Sequence, residues 1–314
     1  MSPVNNHSTN QIFSTIQQEA GKRRKAFEEA PGSKIHIGMA TCGIASGALE
    51  TKAAFEEALV EKGIEARIHT VGCIGHCYAE PYVIIDHPDS GFPPIFYPDV
   101  SAGKAKMLAK LFLQDGDPRL EHILGATVEN ELIPSVLEFP RFSLEKRLVM
   151  EKCGRIDPED IYEYIAEGGY SAFVDCLAGA PEEIITRVHQ SGLRGRGGAG
   201  FPTGEKWDLA RLAPQEDKII ICNADEGDPG AFMNRSLLEG DPHALLEGML
   251  IAGYAIGASR AYIYCRAEYP LALERLDLGL RQAKEYGLLG ESIQGSGFDF
   301  QIKVKEGAGA FVCG

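Results

Sequence analysis

Residues 191–207 read SGLRGRGGAGFPTGEKW, and the organisation of the chain follows from what this stretch can be. Gly195, Gly197, Gly198 and Gly200 open positive φ to the backbone and let it approach a ligand with no Cβ between them. Arg194, Arg196 and Lys206 add positive charge. Phe201-Pro202 leads to Thr203, an N-cap for a helix expected through Leu212, whose free N–H groups and dipole would face back onto the loop. That combination is an anion site suited to phosphate. The spacing Gly195-x-Gly197-x-x-Gly200 also fits the dinucleotide fingerprint, which requires a strand before it. Here the preceding PEEIITRVHQ, 181–190, sets Ile184, Ile185 and Val188 at helical spacing. A standard Rossmann unit is therefore rejected at this position, leaving a phosphate loop between two helices; the bland alternative is a flexible Gly/Arg loop.

C-terminal to the loop, KIIIC at 218–222 is a short apolar run expected to lie mid-sheet, covered on both faces. Its end carries Asn223, Asp225, Glu226 and Asp228, an acidic turn that should face the ligand crevice outside the carboxyl ends of the strands. The amide and carboxylates suit sugar hydroxyls; a solvated turn or a divalent cation site are the alternatives. Asp241-Pro242 opens an apolar helix to about Gly257, RAYIYCR at 260–266 is a core strand, 271–286 an amphipathic helix and FDFQIKVK at 298–305 an alternating strand. The alternation makes 151–314 an α/β layered domain. A second glycine-rich loop, Gly307-Ala308-Gly309-Ala310-Phe311-Val312-Cys313-Gly314, follows the last strand, and a chain stopping there reads as truncated.

N-terminal to the loop, 1–32 reads as a polar helical extension and 33–114 as a small α/β domain in β-α-β-β-β-α order. Proline-broken 115–150 reads as a linker. Cys42 ends the first strand of the small domain, and Cys73-Ile-Gly-His-Cys77 follows the second. The pair Cys73 and Cys77 can also be two ordinary thiols, and a zinc site suffers from His76 and Cys77 being adjacent. A net charge of −14 over 314 residues argues against nucleic acid as a partner. No apolar run reaches the roughly 18 residues of a membrane span. The N-terminus lacks a signal-peptide pattern, and eight cysteines are too sparse for a disulfide scaffold, which points to the cytoplasm, at most peripheral to a membrane complex.

Two resemblances follow from these motifs. The element order and CIGHC loop of about 34–113 resemble thioredoxin-like ferredoxins with a [2Fe-2S] cluster; this implies Cys42, Cys73 and Cys77 as metal ligands, with the Ser46 hydroxyl as a poorer fourth donor. The runs CGRIDPEDIYEYIAEGGY, SGLRGRGGAGFPTGEKW, ICNADEGDPGAF, DPHALLEGMLIAGYAIGA and EGAGAFVCG make 153–314 resemble the 51-kilodalton flavoprotein chain of NADH dehydrogenase, shared with hydrogenase and formate dehydrogenase modules. The resemblance implies FMN and NAD(H) as cofactors, iron–sulfur subunits of a larger oxidoreductase as partners, and a [4Fe-4S] site only in a region beyond this sequence. It implies that Gly195, Arg196, Gly197, Gly198, Ala199 and Gly200 face flavin and pyrophosphate, Phe201 lies on NAD, and Lys206 bonds both. Asn223, Asp225 and Glu226 would bind flavin, Asp228 would lie near NADH, and Gly307, Ala308, Gly309, Ala310, Phe311 and Gly314 would complete the pocket. Hydride transfer between cofactors needs no protein acid or base, so no catalytic side chain is expected. Two further readings are a scaffold subunit that has lost its cofactors and a thioredoxin-like thiol exchanger using Cys73 and Cys77.

Overall fold

Ile35 and Ile37 alternate with His36 along the first strand, and both isoleucines are fully buried, as one covered sheet face requires. The computed structural model describes residues 6–227 and 233–309. Contacts divide them into two units: residues 25–158 with 239–241, and residues up to 24 with 159–238 and 242 onward.

The first unit is built on β1 (Ser33–Gly38), β2 (Ala66–Val71), β3 (Val83–Asp86), β4 (Ile95–Tyr97) and β5 (Gly125–Ala126), in the order β2-β1-β3-β4-β5. β1 and β2 are parallel, whereas β3, β4 and β5 each run antiparallel to their predecessor in the sheet. The parallel pair needs a crossover, supplied by a helix at Ala48–Lys62 that ends on Gly63 with φ 62°. It buries Ala54, Phe55, Ala58 and Leu59 against the sheet. A second helix, Ala102–Leu108, starts where Ser101 Oγ accepts the Lys104 N–H and widens into a π turn at Ala109–Gln114 that buries Phe112. This is the thioredoxin-like arrangement that the sequence predicts. Past it, the chain stays on the sheet: β5 pairs with β4, and Ala126 N–H donates to Pro134 O at 2.8 Å.

The second unit carries three parallel strands, β6 (Ile219–Ala224), β7 (Arg260–Cys265) and β8 (Gln301–Glu306), in that spatial order. Helices Pro242–Ile256 and Pro270–Glu285 make the two crossovers, an α/β alternation as expected. Gly253 lets the first helix down onto the sheet, since a Cβ there would come 2.3 Å from the Phe300 ring. One expectation changes: β6 is at the sheet edge among the described residues, and Ile221 is 71% exposed. Apolarity alone does not tell a central strand from an edge strand whose outer face awaits cover.

A buried polar network ties helices Ile161–Ala166 and Ser171–Ala178 to Pro242–Ile256. Glu247 accepts the Tyr164 hydroxyl at 2.5 Å and the Tyr170 and Phe173 N–H groups at 2.8 and 3.2 Å. The carboxylate thereby caps helix Ser171–Ala178, which has no side-chain cap of its own at Tyr170. His243 sits between Tyr170, whose hydroxyl is 2.9 Å from Nδ1, and Gln282, whose Oε1 is 3.0 Å from Nε2.

Candidate cofactor site

Helix Pro181–Ser191 ends on Gly192 at φ 67°, and the chain then forms the glycine loop. Arg194 and Pro202 pair across its base, Gly195 N–H donates to Phe201 O at 2.8 Å, and Arg194 Nη1 donates to Gly200 O at 2.9 Å. Gly198 and Gly200 have φ of 104° and 62°, conformations a side chain would strain. A Cβ at Gly197, Gly198 or Gly200 would meet nothing within 4 Å, so the loop borders open space. Among the described residues, no protein group takes the N–H groups of residues 196–200. Arg196, Phe201 and Lys206 are exposed.

The helix after the loop runs Thr203–Leu212, with Pro202 at its N-cap and no side-chain cap. Thr203 is thus the first helical residue rather than the expected cap, and its N–H is taken by Leu193 O at 2.9 Å. The loop's own N–H groups remain as donors for an anion. Gly204 fixes the scaffold: a Cβ there would lie 2.6 Å from the His189 ring and 2.8 Å from its backbone N. Only glycine permits the two helices bracketing the loop to approach this closely.

A second cluster of expected residues forms at the carboxyl ends of the strands. Asn223 Oδ1 accepts the Asp225 N–H at 3.1 Å while its Nδ2 donates to Glu226 Oε1 at 3.1 Å, folding the turn on itself. Asp225 has a side chain only 4% exposed and lies 3.9 Å from Arg266 Nε. Arg266 Nη1 also donates to Glu226 O at 3.2 Å, and its Nη2 pairs with Glu268 at 3.0 Å. Gly307 begins the second loop beside them; its N–H donates to Cys265 O at 2.7 Å, and a Cβ there would stand 3.0 Å from Asp225 Oδ2. Asn223, Asp225, Glu226 and Gly307 are therefore gathered at the ends of β6, β7 and β8. Arg266 is the organiser that sequence reading missed, although a cation closing the strand RAYIYCR beside an acidic turn was a visible signal. Ala308 and Gly309 follow in the same loop, while Asp228, Ala310, Phe311 and Gly314 lie outside the described residues.

The family described as the Nuo51 FMN-binding domain matches residues 188–314, a span containing both glycine loops and the acidic turn. The likeness to that family is confined to this part of the chain. Among its relatives, the NADP-reducing hydrogenase subunit HndC of Solidesulfovibrio fructosivorans is 58% identical over 168 residues, 54% of this chain and 34% of that protein. An NADH-quinone oxidoreductase subunit of Aquifex aeolicus is 49% identical over 177 residues, 56% of this chain and 41% of its own. The NAD-reducing hydrogenase HoxS alpha subunit of Cupriavidus necator is 50% identical over 140 residues, 44% and 23% of the two chains. These alignments span well under half the length of the relatives.

FMN suits the Nuo51 segment on chemical grounds. The loop offers unpaired N–H groups and two exposed cations to a phosphate, and the strand ends offer an amide and carboxylates to hydroxyls. No helix among the described residues is long and apolar enough to cross a membrane.

The first unit holds the expected metal ligands. Cys42 lies in a short helical turn, Thr41–Ala45, held by Glu239, which accepts the Thr41 N–H at 2.9 Å and its hydroxyl at 2.6 Å. Cys73, 1% exposed, has its Sγ 3.9 Å from Cys77 Sγ and accepts the Gly75 N–H at 3.2 Å. Burial pushes the Cys73 thiol well up, with the charges of Cys77, Glu80 and Cys42 adding to it. Burial also raises the Glu80 carboxyl to about 7, against hydrogen bonds from the Tyr82 N–H and Cys73. Ser46 is exposed at the far end of the turn, which makes it a poor partner for the buried sulfurs. Among the described residues, no three His, Cys, Asp or Glu side chains are arranged around a single metal ion.

Proposed function

We propose that the chain is the NADH-oxidising flavoprotein part of a multi-subunit oxidoreductase, delivering electrons to iron–sulfur subunits. The observation that carries this reading is the Nuo51 match over 188–314, because it spans every residue assigned to the cofactor pocket. FMN, when bound, accepts a hydride from NADH and releases electrons singly. The chain's own residues bind and orient. The N–H groups of 196–200, with Arg196 and Lys206, are matched to phosphate and pyrophosphate oxygens. Phe201 supplies an exposed aromatic face for the nicotinamide nucleotide. Asn223, Asp225 and Glu226, held in place by Arg266, are matched to flavin hydroxyl and ring N–H groups, and the loop from Gly307 closes the pocket. Cys42, Cys73 and Cys77 are assigned to a [2Fe-2S] cluster, which would carry single electrons.

The test is reconstitution of the purified protein with FMN, followed by desalting and an NADH-to-ferricyanide assay. Retained flavin absorbance near ~450 nm, NADH-dependent reduction, and weaker flavin retention in Lys206→Ala are expected. Protein that keeps no flavin and does not oxidise NADH would overturn the reading and favour a scaffold subunit.

A further inference from the structure

The first unit contains a carboxylate with an unmet bond. Glu80 is 5% exposed; its Oε2 accepts the Tyr82 N–H at 3.2 Å, while its buried Oε1 has no hydrogen-bond partner. A buried, unsatisfied carboxylate oxygen is unfavourable, and such an orphan signals a missing ion or group.

Its surroundings identify that group. A Cβ at Gly38 or Gly43 would stand 2.9 or 3.0 Å from Glu80 Oε2, so two glycines make the space that the carboxylate fills. Gly43 directly follows Cys42, and the Glu80 carboxylate lies within electrostatic reach of the Cys73 thiol. Cys73 is the common neighbour: the charges of Cys77, Glu80 and Cys42 all act on its thiol. The Cys73 and Cys77 sulfurs are 3.9 Å apart, close to the ~3.8 Å that two thiolates ~2.3 Å from one tetrahedral ion require.

We infer that Glu80 is the fourth protein ligand of a [2Fe-2S] cluster, joining Cys42 on one iron while Cys73 and Cys77 hold the other. The inference rests on the assignment of a cluster to the three cysteines. It supplies the donor that they lack, an anionic oxygen harder than thiolate and compatible with iron.

The experiment is anaerobic reconstitution of the protein with iron and sulfide, reading iron and acid-labile sulfide per chain and the EPR spectrum after dithionite reduction. Wild type is expected to hold about two irons. Glu80→Ala should lose cluster retention at least ~10-fold with an unchanged far-UV circular dichroism spectrum, removal of one ligand being the cause. Glu80→Cys should keep the cluster with shifted g values, because thiolate replaces oxygen on one iron. Glu80→Ala with wild-type iron content and EPR would overturn the inference alone. Wild type that takes up no iron–sulfur cluster, or a single zinc ion instead, would overturn the three-cysteine assignment and the inference with it.

Discussion

Acidification from pH 8 to pH 5 should weaken the second unit through one side chain. His243 is buried, and desolvation lowers its pKa from 6.5 to about 4, with the hydrogen bond to Gln282 opposing the shift. Gln282 Nε2 donates to Glu159 O at 2.7 Å, so its Oε1 must accept from His243 Nε2–H, leaving Nδ1 to accept the Tyr170 hydroxyl. The neutral tautomer satisfies every group, and protonation at Nδ1 would force the Tyr170 hydroxyl to turn from donor to acceptor in a buried site. The unfolded chain takes up the proton near 6.5 but the native one only near 4. Stability is therefore fully present above pH 6.5 and is lost as the pH falls towards 4, where the loss levels off at about 3 kcal/mol. At pH 5 about 2 kcal/mol should be gone. The single tryptophan, Trp207, packs beside Ile184, Ile185 and Ala255 of this unit, so its fluorescence in urea reports the unfolding. Carboxylates contribute their own pH dependence, which His243→Gln retains while removing the histidine. The wild type should lose about 2 kcal/mol more than the variant between the two pH values. Equal losses, or a His243 imidazole titrating near 6.5 by NMR, would refute the reasoning.

Gly204→Ala should destabilise the same unit by about 1–3 kcal/mol, because the new methyl would lie 2.6 Å from the His189 ring and force the loop's two helices apart; an unchanged urea midpoint would show that the helices can slide. Gly307→Val should press on Asp225 Oδ2 and weaken FMN binding ~10-fold. Flavin titration checks it, and undiminished affinity would remove the Asp225–Gly307 junction from the pocket.

Much of the fold was legible because its signals are local. The helical spacing of Ile184, Ile185 and Val188 argued against a strand before the glycine loop, and the structure has a helix there, Pro181–Ser191. The parallel strands and crossover helices around 219–306 followed from alternation of apolar runs with periodic ones. The edge position of β6 was not legible, since Ile219, Ile220 and Ile221 give the same apolar run in a central or an edge strand. Likewise the Thr203 side chain was the natural cap by residue type, but the chain is already helical at Thr203, and Pro202 takes the N-cap position. The stretch 115–150 read as a linker because prolines interrupt its periodicity, and only the pairing of Gly125 and Ala126 with β4 reveals what it adds to the sheet.

By itself the sequence singled out residues with the capacity for chemistry: the glycine loop with Arg196 and Lys206, the acidic turn from Asn223, and the three cysteines. Residue type sets donor and acceptor capacity, and short-range periodicity sets the local element. Tertiary structure decided which of these groups meet. Arg266 reaches the acidic turn from the end of a neighbouring strand, and Gly307 meets Asp225 across two crossovers. Glu80, silent in the sequence, gains meaning only because folding buries it beside Cys73 with one oxygen unsatisfied. Such pairings depend on strand order and on water exclusion, which long-range packing sets and no local pattern records.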